Sequence, residues 1–254
     1  MEALMDSSVV CLTVDWSENG TLIVPGEVQS AYFGRTSYSI HSGYCYQKDN
    51  CHGFAMLTDQ NNHKAESIWA GMTPKLESFI SQGVDHFYIC SDSTSAQYRN
   101  SKNAYFMKDF ATKHKVKIDW IFTERHHGKS PADGIGGNVK NTVEQLTAFS
   151  TQNNIKNAEY VANFLRSTDS NIMVTNFDER DIENTFQIIP GDLTSLKGAT
   201  KFHDISVASD GILRVEELPT DRAYKTTNVQ VKRKRRAGVG IEAAVANIDV
   251  NETG

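Results

Sequence analysis

Val9-Val10-Cys11-Leu12-Thr13-Val14, followed at once by Asp15-Trp16-Ser17-Glu18-Asn19-Gly20, decides how the chain folds. The first six residues are apolar or β-branched without a break, which suits a strand buried on both faces at the centre of a sheet. The polar cluster behind them carries a turn signal and leaves Asp15 at the carboxyl end of that strand. In open α/β sheets these ends face the functional crevice, so one acid is placed there from the outset.

Working outward, residues 21–24 and 27–33 stay extended around Pro25-Gly26. Residues 36–47 alternate Tyr38, Ile40, Tyr44 and Tyr46 with small or polar residues, and 53–58 give a third strand after a turn at 48–50. Three strands joined by short turns predict an antiparallel meander. The period then changes. Ile68, Trp69, Met72, Leu76, Phe79 and Ile80 fall at helical spacing within 65–82, with Gly83 as the stop. A strand at 86–90 ends at Ser91-Asp92-Ser93, a helix follows at 102–114, a fifth strand at 116–122 and a third helix at 133–149. The order is three strands, helix, strand, helix, strand, helix. It predicts an α/β domain over residues 1–150 with a mixed five-stranded sheet. Residues 151–218 read as a small α+β extension, with helices at 158–165 and 178–186, an extended piece at 172–175 and a hairpin around Ser209-Asp210-Gly211. Residues 219–254 show no sustained periodicity and are expected to be a disordered basic tail.

The chain has 254 residues and a net charge of −5, with the apolar fraction of an ordinary globular protein. There is no run of about 18 apolar residues, so no membrane-spanning helix is expected. The first eight residues do not read as a secretory signal, and Cys11, Cys45, Cys51 and Cys90 lack paired spacing. They are expected to be reduced thiols of an intracellular protein that is not secreted. Lys232, Arg233, Lys234, Arg235 and Arg236 hold five positive charges in one run, so removing them takes the remainder from −5 to −10. That run reads as a nuclear localisation signal or a nonspecific DNA tether. The rest of the chain would meet DNA with little electrostatic help of its own.

A second stretch answers the first. Gly128-Lys129-Ser130-Pro131-Ala132-Asp133-Gly134-Ile135-Gly136-Gly137-Asn138-Val139-Lys140 links the fifth strand to the third helix. Pro131 suits a first helical turn, and the glycines permit close approach of another backbone or a nucleic-acid strand. Their spacing fits neither the phosphate loop nor the dinucleotide fingerprint, so no organic cofactor is expected. Asp15, Asp92 and Asp133 thus stand at ends that one sheet would bring together if its first and fourth strands are parallel neighbours. Three clustered carboxylates repel unless cations sit between them, and hard oxygen ligands suit Mg²⁺ or Mn²⁺. Two such ions about 4 Å apart would support phosphodiester cleavage without a Ser or Cys nucleophile. Glu124, at the end of the fifth strand, is the alternative third acid.

The order of elements and the three acids resemble the ribonuclease H-like fold of transposases and retroviral integrases. More narrowly, Val14-Asp15-Trp16-Ser17-Glu18-Asn19 resembles the M-D-F-S-E-N motif of a transposon-derived protein family, and residues 27–33 its E-x-Q-S-A continuation. Residues 91–100, Ser-Asp-Ser-Thr-Ser-Ala-Gln-Tyr-Arg-Asn, are similar to its S-D-G-x-x-x-Q block, with Ser93 in place of glycine. Residues 127–137 resemble its H-G-K-G-x-x-D-G block, with Ser130 in place of glycine. Lys201-Phe202-His203 is similar to a K-F-H near the end of such proteins. The resemblance covers residues 9–215. It implies metal-dependent DNA strand cleavage and strand transfer with Asp15, Asp92 and Asp133 as metal-binding acids, acting on transposon ends or branched DNA. It also implies a homo-oligomer, by analogy with transposases. The chain starts almost at the first strand and has no Cys-rich segment after the hairpin, so a truncated or domesticated core is expected. The alternative reading is an inactive nucleic-acid or protein-binding scaffold.

Around the acids, Glu18, Glu124, His127 and Lys129 are candidate auxiliary residues, with His126 beside them. Gln97, Arg99, Asn100 and Lys140 are candidate contacts to a DNA backbone. Trp16, Trp69 and Trp120 are expected to pack, with Trp16, beside Asp15, the best placed of them to stack on a base. Glu66 reads as a solvated helix-start residue.

Overall fold

A computed structural model describes residues 6–21, 37–48, 50–123, 130–149, 157–168, 170–216 and 225–227. Residues 22–33, Glu124, His126, His127, Gly128, Lys129 and the basic run at 232–236, all singled out above, lie outside these described residues, as does the side chain of Glu18.

The predicted meander is present: β1 (Val9–Thr21), β2 (Ser37–Gln47) and β3 (Asn50–Thr58) pair antiparallel in sequence order. After α1 (Ala65–Ser81), β4 (His86–Asp92) lies parallel to β1. After α2 (Ser101–His114), β5 (Lys117–Thr123) lies parallel to β4, and α3 (Pro131–Phe149) follows. The chain is therefore α/β with a mixed sheet. Among the described residues that sheet has nine strands, not five, in the order β6-β3-β2-β1-β4-β5-β7-β8-β9. Residues 151–218 extend it at both edges. α4 (Ala158–Ser167) leads to β6 (Ile172–Asn176), parallel to β3, and α5 (Glu179–Gln187) precedes β7 (Asp204–Val207), antiparallel to β5. β8 (Leu213–Glu216) and β9 (Lys225–Thr227) complete that edge, the latter within the stretch read as aperiodic. An open sheet edge invites pairing, and here the chain's own later strands take both places.

The two faces carry separate cores. On one, Val10, Leu12, Val14 and Trp16 of β1 meet Trp69 and Leu76 of α1 and Phe106 and Phe110 of α2. On the other, Ile40, Ala55 and Leu57 meet Val139 and Val143 of α3 and Val161 and Leu165 of α4. Covered on both sides, β2 is buried without interruption from Tyr38 to Gly43.

Two expectations are corrected. The first strand does not end at Val14. β2 keeps pairing with β1 to Thr21↔Ser37, across an irregularity between Ser17 and Gly20, so the polar cluster is strand and not turn. The parallel partner on the other side stops earlier, at Thr13↔Cys90, and beyond it β1 runs on paired with β2 alone. Glu66 is not solvated either. Only 4% exposed, it accepts a salt bridge of 3.2 Å from Lys102 of α2, which compensates the buried charge.

Candidate functional site

Asp15 sits where β1 outruns β4. It faces Ser42 across β2, and carrying the parallel register on from Thr13↔Cys90 brings it level with Asp92, the last residue of β4. Asp133 reaches the same end of the sheet from the first turn of α3, whose position is fixed by two serines. Ser42 Oγ donates to the Ala132 carbonyl at 2.9 Å, and Ser17 Oγ lies 3.1 Å from Ser42 Oγ.

Gly136 lets the helix come this close. A Cβ there would overlap Ser17 Oγ outright, with Ser17 Cβ at 2.8 Å and Ser42 Oγ at 3.1 Å. Gly134 and Gly137 are different: a Cβ at either meets nothing within 4 Å. Of the three described glycines of the block, Gly136 gives clearance against the sheet, and Gly134 and Gly137 face open space. Gly134→Ala and Gly137→Ala are each expected to stabilise the protein by about 0.5–1 kcal/mol, because alanine loses less backbone entropy in a helix. Urea denaturation checks this, and destabilisation by either would contradict it.

The acids sense one another. Burial pushes Asp15 up to about 6, and the Asp92 and Asp133 carboxylates push the same way, Asp133 also through a hydrogen bond between the two carboxyl groups. The Trp16 backbone N–H opposes them in part. Asp92 and Asp133 also have local partners. Asp92 Oδ1 accepts the Thr94 N–H at 3.1 Å, and its Oδ2 accepts the Thr94 hydroxyl. Asp133 Oδ2 accepts the Ser130 N–H at 2.6 Å while its own N–H points to Ser130 Oγ at 3.4 Å, a reciprocal cap on α3. Accordingly, among the described residues no group of three or more His, Cys, Asp or Glu side chains is arranged as a ready cage for one ion. Asp92 and Asp133 both raise the Asp15 carboxyl, while each is also bonded to a local neighbour.

This electrostatic frustration has a pH signature. A carboxyl raised from 3.8 to about 6 on folding contributes stability that is whole below 3.8 and lost as pH rises through about 6. Asp15→Asn is neutral throughout and escapes that loss. The variant is expected to exceed the wild type by about 1 kcal/mol at pH 7.5, after allowing for solvent screening of this half-buried group, and to match it near pH 4. Equal differences at both pH values would contradict an Asp15 carboxyl raised by burial and its acidic neighbours.

Beneath the acids lies a buried polar chain that the sequence reading passed over. Tyr98 is fully buried, its hydroxyl 3.0 Å from His41 Nε2. Burial raises the Tyr98 hydroxyl well above its ordinary range, and the Asp15 and Asp92 charges add to this. Burial holds His41 down at about 3, hence neutral, and its Nδ1 has no hydrogen-bond partner among the described residues. Trp16 does not offer a face for a base. It is 8% exposed, stacked on His63 at 4.3 Å and tilted against His41 at 4.7 Å. The signal was the alternation in residues 36–47, which counted Ile40 and Tyr44 and left His41 between them.

The candidate DNA contacts have mixed placements. Asn100 caps α2 by accepting the Asn103 N–H at 3.0 Å, and its amide donates to the Ser95 and Gln97 carbonyls. Arg99 donates to the Phe202 carbonyl at 3.2 Å. The His203 carbonyl accepts from the Phe122 N–H, so Lys201-Phe202-His203 serves to tie the β7 edge to β5 and α2. Gln97 lies in the turn after Asp92, and Lys140 lies two helical turns beyond Asp133, half-exposed.

The model of a family described as a domain of unknown function, DUF8701, matches residues 1–218, and the chain belongs to that family. The described fold and the acidic end of its sheet lie almost wholly within the matched span. Comparison with curated proteins and with solved structures found no match. No helix among the described residues is long and apolar enough to cross a membrane.

Proposed function

We propose that the chain is a ribonuclease H-like, transposase-related core that cleaves DNA strands with divalent metal ions held by Asp15, Asp92 and Asp133. One observation carries the reading: a half-buried Asp15 and the acids Asp92 and Asp133 come from three different elements to one end of the sheet, where burial and the two neighbouring charges raise the Asp15 carboxyl and a cation would relieve it. The ribonuclease H-like assignment is supported by β1 and β4 being parallel neighbours with their acids level at one end. The donor set, three carboxylates without thiol or imidazole, fits Mg²⁺ or Mn²⁺. Two such ions, when bound, lower the pKa of water and neutralise charge on the scissile phosphate.

The chain's own residues hold and orient. Asp15 comes from the strand and Asp92 from its parallel neighbour, while Asp133 closes the site from α3. The exposed Gly134 and Gly137 leave room beside Asp133 for a strand's backbone. Attack of water on one phosphodiester forms the new P–O bond and releases a 3′-hydroxyl, which can in turn attack a second DNA strand. The test is nicking of supercoiled or branched DNA by purified protein with Mn²⁺, against chelator, with RNA and RNA–DNA hybrid in parallel arms. Nicking that chelator abolishes supports the reading, and preference for RNA or hybrid would reassign the substrate.

A second reading has its own observation. Asp92 and Asp133 have settled local bonds to Thr94 and to the Ser130 cap, as in a scaffold that keeps the fold without catalysis. Metal-independent DNA binding without nicking would favour it. A nuclear location and self-association belong to the same proposal, the first resting on the basic run at 232–236 and the second on the resemblance.

A further inference from the structure

The face of the sheet opposite α3 contains a cavity of about 460 Å³ near the β3–β6 edge, between α1 and those strands. Strand alternation separates it from the acidic site. A Cβ at Gly53 would meet Ile135 of α3, whereas Phe54 and Met56 point to the α1 side and line the cavity. Phe79 and Phe177 complete an apolar wall. Pro74 stands inside α1, where it removes the N–H that would bond the Ala70 carbonyl, and both residues lie on the cavity's lining.

Into this apolar space projects one amine. Lys75 Nζ lies 4.6 Å from the centroid of the Phe54 ring and 5.0 Å from that of Phe79. It is 3.1 Å from His52 Nε2, which must accept because an ammonium only donates. His52 Nδ1 is then the protonated nitrogen and faces Asn50 Oδ1 at 3.3 Å. Among the described residues no carboxylate pairs with Lys75. The other charged groups on the lining are Arg166 and Asp181. Arg166 is spent on the Val174 carbonyl, Asn163 and Asn176. Asp181 is spent on the cap of its own helix, accepting the Asp178 N–H at 3.0 Å. Ring faces and a neutral imidazole compensate a half-buried ammonium only in part.

We infer that this cavity is a binding site for a small molecule bearing one carboxylate on an apolar, ring-sized body. The carboxylate pairs with Lys75 Nζ, and the body lies against Phe54, Met56, Phe79 and Phe177. The volume falls in the usual range of small-ligand pockets, about 300–1,000 Å³, and an apolar wall with polar groups at its margin, here Ser78, Gln82 and Asn176 beside Lys75, is a common composition for them. Burial holds Lys75 down at about 8, the mark of an ammonium short of a counter-ion. An arriving carboxylate supplies one. This site stands independently of the acidic end of the sheet.

The experiment is calorimetric titration of the whole chain at pH 7 with naphthalene-2-carboxylate, and with naphthalene-2-methanol as its uncharged counterpart. Saturable binding of the carboxylate with Kd below about 1 mM is expected, weakened tenfold or more in Lys75→Met. The alcohol should bind both proteins alike. Met173→Trp, at an exposed position on the mouth, should weaken both ligands while leaving thermal stability unchanged. No saturable binding to the wild type would overturn the inference, as would equal carboxylate affinity in Lys75→Met.

Discussion

Asp92→Ala is expected to reduce Mn²⁺-dependent DNA nicking by about a thousandfold or more, the largest effect of any single change at the site. In the proposed metal site, removing one of three carboxylates takes away both a ligand and charge that would hold the remaining ions. A metal contributes several kcal/mol to the transition state, and each 1.4 kcal/mol is tenfold in rate, so losing about 4 kcal/mol gives that factor. Folding should be little affected. Asp92 closes a strand, and among the described residues its carboxylate bonds only Thr94, so circular dichroism and urea midpoint should stay near the wild type. Asp210→Asn is the matched control: that acid is exposed, paired with Arg214 at 2.6 Å on the β7–β8 turn, and should nick normally. Equal nicking by Asp92→Ala and wild type would remove the enzymatic reading.

Gly136→Val should destabilise the protein by about 3 kcal/mol. The Cβ alone would overlap Ser17 Oγ, and the branched side chain has no empty volume to enter between α3 and β1. For a chain of this size that is a fall in Tm of about 6–12 °C. Function should suffer first. Lifting α3 withdraws Asp133 from Asp15, and it also breaks the Ser42–Ala132 hydrogen bond that seats the first turn. Gly134→Ala, two positions away on the open side, is expected to move Tm the other way. A Gly136→Val protein as stable as the wild type would mean that α3 is not held to the sheet as described.

Much of this arrangement was legible in the sequence because two periodicities alternate cleanly. Strand patterns at β1 to β5 and helical spacing at α1 to α3 are strong in this chain, and they sufficed to bring Asp15, Asp92 and Asp133 to one end of a sheet. Polar residues misled where tertiary pairing overrode them. Asp15 to Gly20 has the composition of a turn, yet β2 pairs with it to Ser17 and, past an irregularity, again from Gly20 to Thr21. The edge strands β6 to β9 are three to five residues long, too short for a period to show that they join the same sheet. Glu66 reads as a solvated helix start because its partner Lys102 lies thirty-six residues away on another helix. The His41–Tyr98 contact and the Lys75 cavity depend on packing between distant elements, which no local pattern encodes.

The cation site itself is tested most directly by titrating Mn²⁺ into the chain at pH 7.5 and following the free-ion electron paramagnetic resonance signal. Wild type is expected to remove about two ions per chain, and Asp15→Asn neither over the same range. An undiminished free-ion signal with the wild type, or equal uptake by Asp15→Asn, would contradict a metal site built on these three acids.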